Sequence, residues 1–397
     1  MGLNKKDQDS RIKQFPNSKD VAILDTDWCA YSIASVGDEA YIEVTHTKSG
    51  KTREFKNVTE FRGVGKTIKG WLGDVNTKLE EEGKTPYTLD DFTVETKQRR
   101  KKEYEFKTLT WEEFETKEYE AFELVAESSV STEVEVRRQL TDDEALVRIY
   151  YSAKSTILRA LEDLGTHKYE SYLGKSGKFR ENTSTLMKYK GNREDTLRPL
   201  AMGEVVEYLQ TSFKSELVYG IENDDKVTMR AYGDPNAVIV GEDKDFYGQP
   251  VRFFNANKPD EGIIDGDCFG KLWREDTKKK KVRGYGRIFL YWQILAGDSS
   301  DNYKANCMSD KKYADVAAYK ALVDCKDDKE ALESVIEVFK MLYPEPKVVK
   351  SWRGNEMLID WLYVAREQFR MAAMLRFEGD SRTLDTEFAK YGVAYEY

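Results

Sequence analysis

Histidine is nearly missing from this sequence: His46 and His167 are the only two in 397 residues, and neither sits in an HxxxH or HExxH spacing. That excludes zinc hydrolases and most histidine-based catalysis. Cysteine is scarce as well. Cys29, Cys268, Cys307 and Cys325 are scattered with no CxxC pair, so they read as reduced thiols that ligate nothing. No apolar run approaches the roughly 18 residues of a membrane span. The first residues, MGLNKKDQDSR, lack the apolar core of a signal peptide, and residues 1–19 read as a disordered or extended N-terminus. The expectation is a cytoplasmic protein without a membrane partner.

Carboxylates are plentiful, and they are placed in a pattern. The chain carries 72 acidic against 63 basic residues, a net charge of −9, and 40% hydrophobic residues to build a core. In residues 289–302, FLYWQILAGDSSDN, a buried apolar element runs into Asp298 and Asp301. Three other segments repeat the design: VAILDTD with Asp25 and Asp27, ELVYGIENDD with Glu222, Asp224 and Asp225, and AVIVGEDKD with Asp243 and Asp245. In an α/β fold with a parallel sheet, segments ending this way converge beyond the carboxyl ends of the strands, in one acidic pocket. Two carboxylates about 4 Å apart repel by about 4 kcal/mol at an effective dielectric of about 20, so such a pocket must take up protons or hard cations. Oxygen-only ligands favour Mg²⁺ or Mn²⁺. Any one of these motifs alone also fits a helix N-cap, and the argument for metal rests on four occurring together.

These residues resemble a known family. GDSSDN, YKGNR (residues 189–193), IENDD, DKD and DTD occur in the order and setting of the 5′-nuclease superfamily of flap endonucleases, most like its phage-encoded 5′ to 3′ exonuclease and RNase H branch. The resemblance covers residues 20–36 and 140–302, with a weaker helical match to about residue 378. It implies a PIN-like, mainly parallel sheet flanked by helices, acting in phage DNA replication or recombination in the host cytoplasm. It also implies two-metal hydrolysis of DNA with a 5′ end or flap, or of RNA in an RNA–DNA hybrid. Carried over by motif, Asp25, Glu222, Asp224 and Asp225 lean towards a first ion, and Asp243, Asp245, Asp298 and Asp301 towards a second. Lys190 and Arg193 would act on the scissile phosphate. Arg180, Tyr189, Lys280, Lys281, Arg283 and Lys304, with Lys190 and Arg193, would meet nucleic acid. Two rivals remain: a non-catalytic nucleic-acid-binding protein on the same fold, and a PIN-type endoribonuclease.

Two departures from the family pattern stand out. Where many relatives present a further aspartate at the end of a strand, this chain has Leu173 and then Gly174, which implies a weaker first metal site. After GDSSDN there is no glycine-rich helix-hairpin-helix turn, only YKANCMSDKKYADVAAYKAL. Asn223 stands where alanine is common, a change expected to be neutral.

The remaining segments read as follows. Residues 20–302 form the nuclease core, with an insertion at about residues 38–140 that opens on the hairpin pattern YIEVTHTKSGKTREF. Within the insertion, GVGKT lacks the first glycine of a phosphate loop and no apolar strand precedes it. Positive charge clusters in KQRRKK (residues 97–102) and KKKKVRGYGR (residues 278–287), the second favoured as a nucleic-acid contact. Thr141 caps a helix carrying Ala145, Ile149, Ala153, Ile157 and Leu161, and residues 169–173 form a strand. Residues 303–397 read as a helical C-terminal region, ending in one long helix across EMLIDWLYVAREQFRMAAMLRF.

Overall fold

Five parallel strands, Val21–Asp25, Tyr169–Gly177, Glu216–Gly220, Ala237–Gly241 and Arg252–Asn255, line up around the first of them. In the computed structural model, which describes residues 15, 18–65, 68–116, 121–127, 132–177, 179–193, 196–277 and 280–395, a sixth strand, Ile263–Asp265, closes one edge antiparallel. Val21–Asp25 is central, paired in parallel with Ala237–Gly241 on one side and Tyr169–Gly177 on the other. Its neighbour AVIVG is buried at every position, as a strand covered on both faces must be. Because these strands run the same way, Asp25, Glu222 and Asp243, which end or follow three of them, emerge at one edge of the sheet. The protein is therefore mixed α/β with a mainly parallel central sheet flanked by helices. Among the described residues, no helix is long and apolar enough to cross a membrane.

Residues 289–295 do not form a strand, as the convergence of four strand ends would have it. They lie in the helix Arg287–Ala296, in which every residue from Ile288 to Leu295 is buried. A helix surrounded on all sides shows no amphipathic period, so its sequence reads like a buried strand. It packs among the helices Asp315–Leu322, Asp328–Leu342 and Trp361–Ala372, and together the four helices contribute most of the largest apolar cluster. The expected C-terminal helix across EMLIDWLY also divides. Glu356–Ile359 is a strand paired with Lys347–Lys350, and only from Trp361, capped by Asp360, does the chain turn helical. Leu358 in that strand is 67% exposed.

The chain separates into two compact units, one of residues 1–30, 153–196 and 206–397, the other of residues 31–152 and 197–205. The first holds the sheet, the C-terminal helices and every expected metal ligand. The second contains two antiparallel three-stranded sheets. In one, the predicted hairpin Asp38–His46 and Thr52–Phe55 is extended by Phe92–Arg100 over a core of Ile42, Val44, Phe55, Phe61 and Leu72. The basic run here is spent on its own neighbours, since Lys97 pairs with Glu43 and Arg99 with Glu54. In the other, Glu133–Gln139 lies between Tyr104–Thr110 and Glu123–Glu127. The Thr141–Glu144 capping box opens the helix Asp142–Leu164. Of the other readings, most of residues 1–19, Lys66 and Thr67 of GVGKT, and Lys278 and Lys279 lie outside the described residues.

Candidate metal-binding site

At the carboxyl edge of the sheet the expected acidic residues meet. Asp25 ends the central strand, and its Oδ1 accepts from Asn223 Nδ2 at 2.6 Å. Asn223 also bonds the Tyr172 carbonyl at 3.1 Å, tying strand to helix, so the residue expected to be neutral anchors a carboxylate. Nothing in the local sequence announces this, because the partner is 198 residues away. Asp27 accepts from the Gly174 amide at 2.7 Å. Leu173 is 1% exposed, in the core, and its register partner is Leu217. Asp27 lies close enough to raise Asp25 and is itself raised by Glu222.

Burial first, and then repulsion from Asp27, pushes the Asp25 carboxyl up to about 8. Asp27 and Asp243 are raised for the same leading reason, and Asp245 is raised well above the ordinary range by burial and by Asp243. Two carboxylates go the other way. Burial would raise Glu222, but Arg180 and Lys190 outweigh it and hold the group at about 2. Burial is likewise outweighed at Asp298, by Lys244 and by the amides of Ser300 and Asp301. A pocket in which burial and mutual repulsion raise several carboxyls together is short of positive charge, and its donors are all oxygen. Asn223 Oδ1, Gln293 Oε1 and the Tyr303 hydroxyl add three buried oxygens without a partner among the described residues. Asp25, Asp27, Asp243, Asp245, Asp298 and Asp301 offer only oxygen, the donor type that a hard divalent cation takes, but among the described residues no three of them bring ligand atoms as close together as Glu222, Asp224 and Asp225 do.

The other end of the cluster is different. Glu222, Asp224 and Asp225 bring one oxygen each within 4.8 Å of one another, close enough for a metal ion. Arg180 already lies among them. Its Nη1 donates to Asp225 Oδ2 at 2.8 Å and to Glu222, and stands 3.8 Å from Asp224, while Nη2 reaches Asp225 Oδ1 at 3.2 Å and Nε the Met371 carbonyl at 3.1 Å. Arg180 is 2% exposed, so it is withdrawn from the nucleic-acid role expected of it. Asp225 Oδ1 also accepts from the Leu375 amide at 2.9 Å, which leaves both its oxygens engaged.

YKGNR and GDSSDN, more than 100 residues apart, interlock. The buried Tyr189 hydroxyl lies 2.9 Å from both Glu222 Oε1 and Asp301 Oδ2. The Lys190 amide donates to the Asp301 carbonyl at 3.0 Å, Asn192 to the Ser299 carbonyl at 2.7 Å, and Arg193 to Asp301 Oδ1 at 2.9 Å. Lys190 has a positive φ of 53°, and its Nζ pairs with Glu222 at 2.5 Å. Lys244, the middle residue of DKD, was not singled out from the sequence. It pairs with Asp298 and lies 3.7 Å from Asp245. Lys280, Lys281 and Lys304 are exposed, and Arg283 pairs with Glu275 at 2.5 Å. Compared with known proteins, the chain matches no family model, no curated protein and no solved structure.

Proposed function

We propose that this chain is a metal-dependent phosphodiesterase of the PIN-like 5′-nuclease type, a 5′ to 3′ exonuclease or flap endonuclease on DNA or on RNA in an RNA–DNA hybrid. The observation that carries the reading is the interlock of YKGNR with GDSSDN against the carboxylates at the sheet edge. It brings exposed cations and cation-seeking oxygens together, and both are needed to hold a phosphodiester.

In this reading Asp25, Asp27, Glu222 and Asp224 hold one Mg²⁺ or Mn²⁺ ion, and Asp243, Asp245, Asp298 and Asp301 the other, with Asp225 kept to its bond with Arg180. Bound there, such ions lower the pKa of an attacking water and stabilise the leaving oxygen. The chain's own part is positioning. Glu222 holds the partly exposed Lys190 ammonium, which can meet a phosphate oxygen, and Asp301 holds the exposed Arg193 guanidinium. Tyr189, kept protonated chiefly by burial, fixes the spacing of Glu222 and Asp301.

The test is a Mg²⁺-dependent digest of a 5′-labelled flapped duplex, an RNA–DNA hybrid and a single-stranded RNA. Asp243→Ala and Asp298→Ala are expected to abolish cleavage with DNA binding largely retained, and Lys190→Ala to slow it by about 10² to 10³. Wild-type turnover in either aspartate variant would sink the metal assignment. A non-catalytic binding protein is the second reading, favoured by Arg180 and Lys244 already sitting among the carboxylates. Binding without cleavage of any substrate would select it, and cleavage of single-stranded RNA alone would point to the PIN endoribonucleases.

A further inference from the structure

Next to the carboxylates, a cleft of about 400 Å³, its open mouth included, lies between the turn Lys244–Gly248 and the hairpin formed by Lys271–Arg274 and Val282–Tyr285. Three aromatic side chains, Tyr247, Trp273 and Phe289, are part of its lining, together with five charged ones. Gly284 lies where a Cβ would come within 2.8 Å of the Phe289 ring, so no side chain can be added between hairpin and helix. Trp273 is 40% exposed, which leaves a large indole surface in water. The rim carries both signs of charge: Lys258 pairs with Glu261 at 2.9 Å, and Arg283 with Glu275 at 2.5 Å. Lys244 belongs to cleft and cluster together, since it lines the one and pairs with Asp298 in the other.

An occupant that suits these walls is flat, has a π-face, and carries donors and acceptors around its edge. An aliphatic chain would leave the charged rim unused, and a bare phosphate would find Lys258 and Arg283 already engaged by Glu261 and Glu275 and would not need an indole. We propose that the cleft is a nucleobase subsite. Trp273 stacks on one unpaired base of the strand whose phosphate lies at the carboxylate cluster, and Glu275 and Arg283 meet the edge of that base. This explains why the basic stretch running into GDSSDN is folded as a hairpin: Lys280 and Lys281 follow the backbone while Arg283 turns inward. The choice of ligand rests on the nucleic-acid reading above, and the experiment separates the two.

Protein labelled with ¹⁵N at the tryptophan indoles is titrated, without divalent cation, with thymidine 5′-monophosphate and in parallel with 2-deoxyribose 5-phosphate. The Trp273 resonance is identified by its loss in Trp273→Phe. It is expected to move with the nucleotide and not with the sugar phosphate. Trp273→Ala should weaken nucleotide binding by about tenfold or more, and Trp273→Phe, which keeps a ring on the hairpin, by much less. Equal shifts with both ligands would reduce the cleft to a phosphate site, and no shift with either would remove it; both outcomes overturn the proposal. In cleavage assays, a single abasic position should slow the wild type at one fixed distance from the cut and leave Trp273→Ala unaffected. Nucleotide binding in a protein that cuts nothing would defeat the nuclease reading alone, while cleavage without a Trp273 response would defeat the subsite alone.

Discussion

Arg180 donates to two carboxylates and a carbonyl from a position closed to solvent, and its neighbours overcome the pull of burial to keep it charged. Removing one partner of a buried pair leaves the other uncompensated, at about 3–5 kcal/mol. Arg180→Met should lose stability of that order in urea unfolding, and adding Asp225→Leu should restore part of it; an unchanged midpoint in the single variant would refute the assignment. The proton balance of the cluster gives a second expectation. Asp25 ordinarily titrates at 3.8 and is pushed to about 8, so between those values the folded chain holds a proton that the unfolded chain has lost. Stability contributed this way falls as pH rises through the window. Glu222 has the opposite sign: held at about 2 against an ordinary 4.5, it stabilises above 4.5 and loses this as pH falls towards 2. Protein in chelator should therefore melt at a lower temperature at about pH 8 than at about pH 5, and Mg²⁺ should raise the midpoint most at the higher pH. A melting temperature that is flat across this range, with or without Mg²⁺, would contradict it.

At the scale of elements, the decisive junction is the end of the helix Arg287–Ala296. Gly297 adopts a φ of +74°, and a Cβ there would stand 2.3 Å from the Tyr303 carbonyl. That close approach lets the Asp298 and Tyr303 backbones pair in both directions, at 2.9 and 3.1 Å, and draws residues 298–303 into the loop that meets YKGNR. Gly297→Ala carries the left-handed penalty and the clash together, so a destabilisation of about 2 kcal/mol or more is expected in urea unfolding. Because the loop carries Asp298 and Asp301, cleavage should fall further than duplex binding. Wild-type stability in this variant would show that the loop adapts without strain.

For the whole molecule, the expected metal ligands and the residues read as an insertion fall into different compact units. Every expected metal ligand lies in the unit of residues 1–30, 153–196 and 206–397, and residues 38–140 lie wholly in the other. Each has its own apolar core, so a short linker in place of residues 38–140 should leave a folded protein that still binds Mn²⁺ and has altered substrate choice. Thermal unfolding and a Mn²⁺ titration check this, and loss of the ion would return the insertion to the catalytic core.

The aspartates and glutamates at strand ends were legible because strand and carboxylate are neighbours in sequence: VAILD and AVIVG announce buried strands by composition alone. The hairpin at Asp38–His46 and the capping box at Thr141 are local in the same sense. What was not legible depends on partners far along the chain. The buried helix Arg287–Ala296 gives no period, because its surroundings and not its sequence make all its faces apolar. Glu356–Ile359 became a strand because it pairs with Lys347–Lys350, against a pattern that also suits a helix. The roles of Arg180, Asn223 and Asp27 were decided by contacts spanning 45, 198 and 147 residues. Sequence alone determined which residues are ionisable and where the strands of VAILD and AVIVG end. Only the tertiary structure decided which charges neutralise one another, because Coulomb and hydrogen-bond energies depend on distances that folding sets.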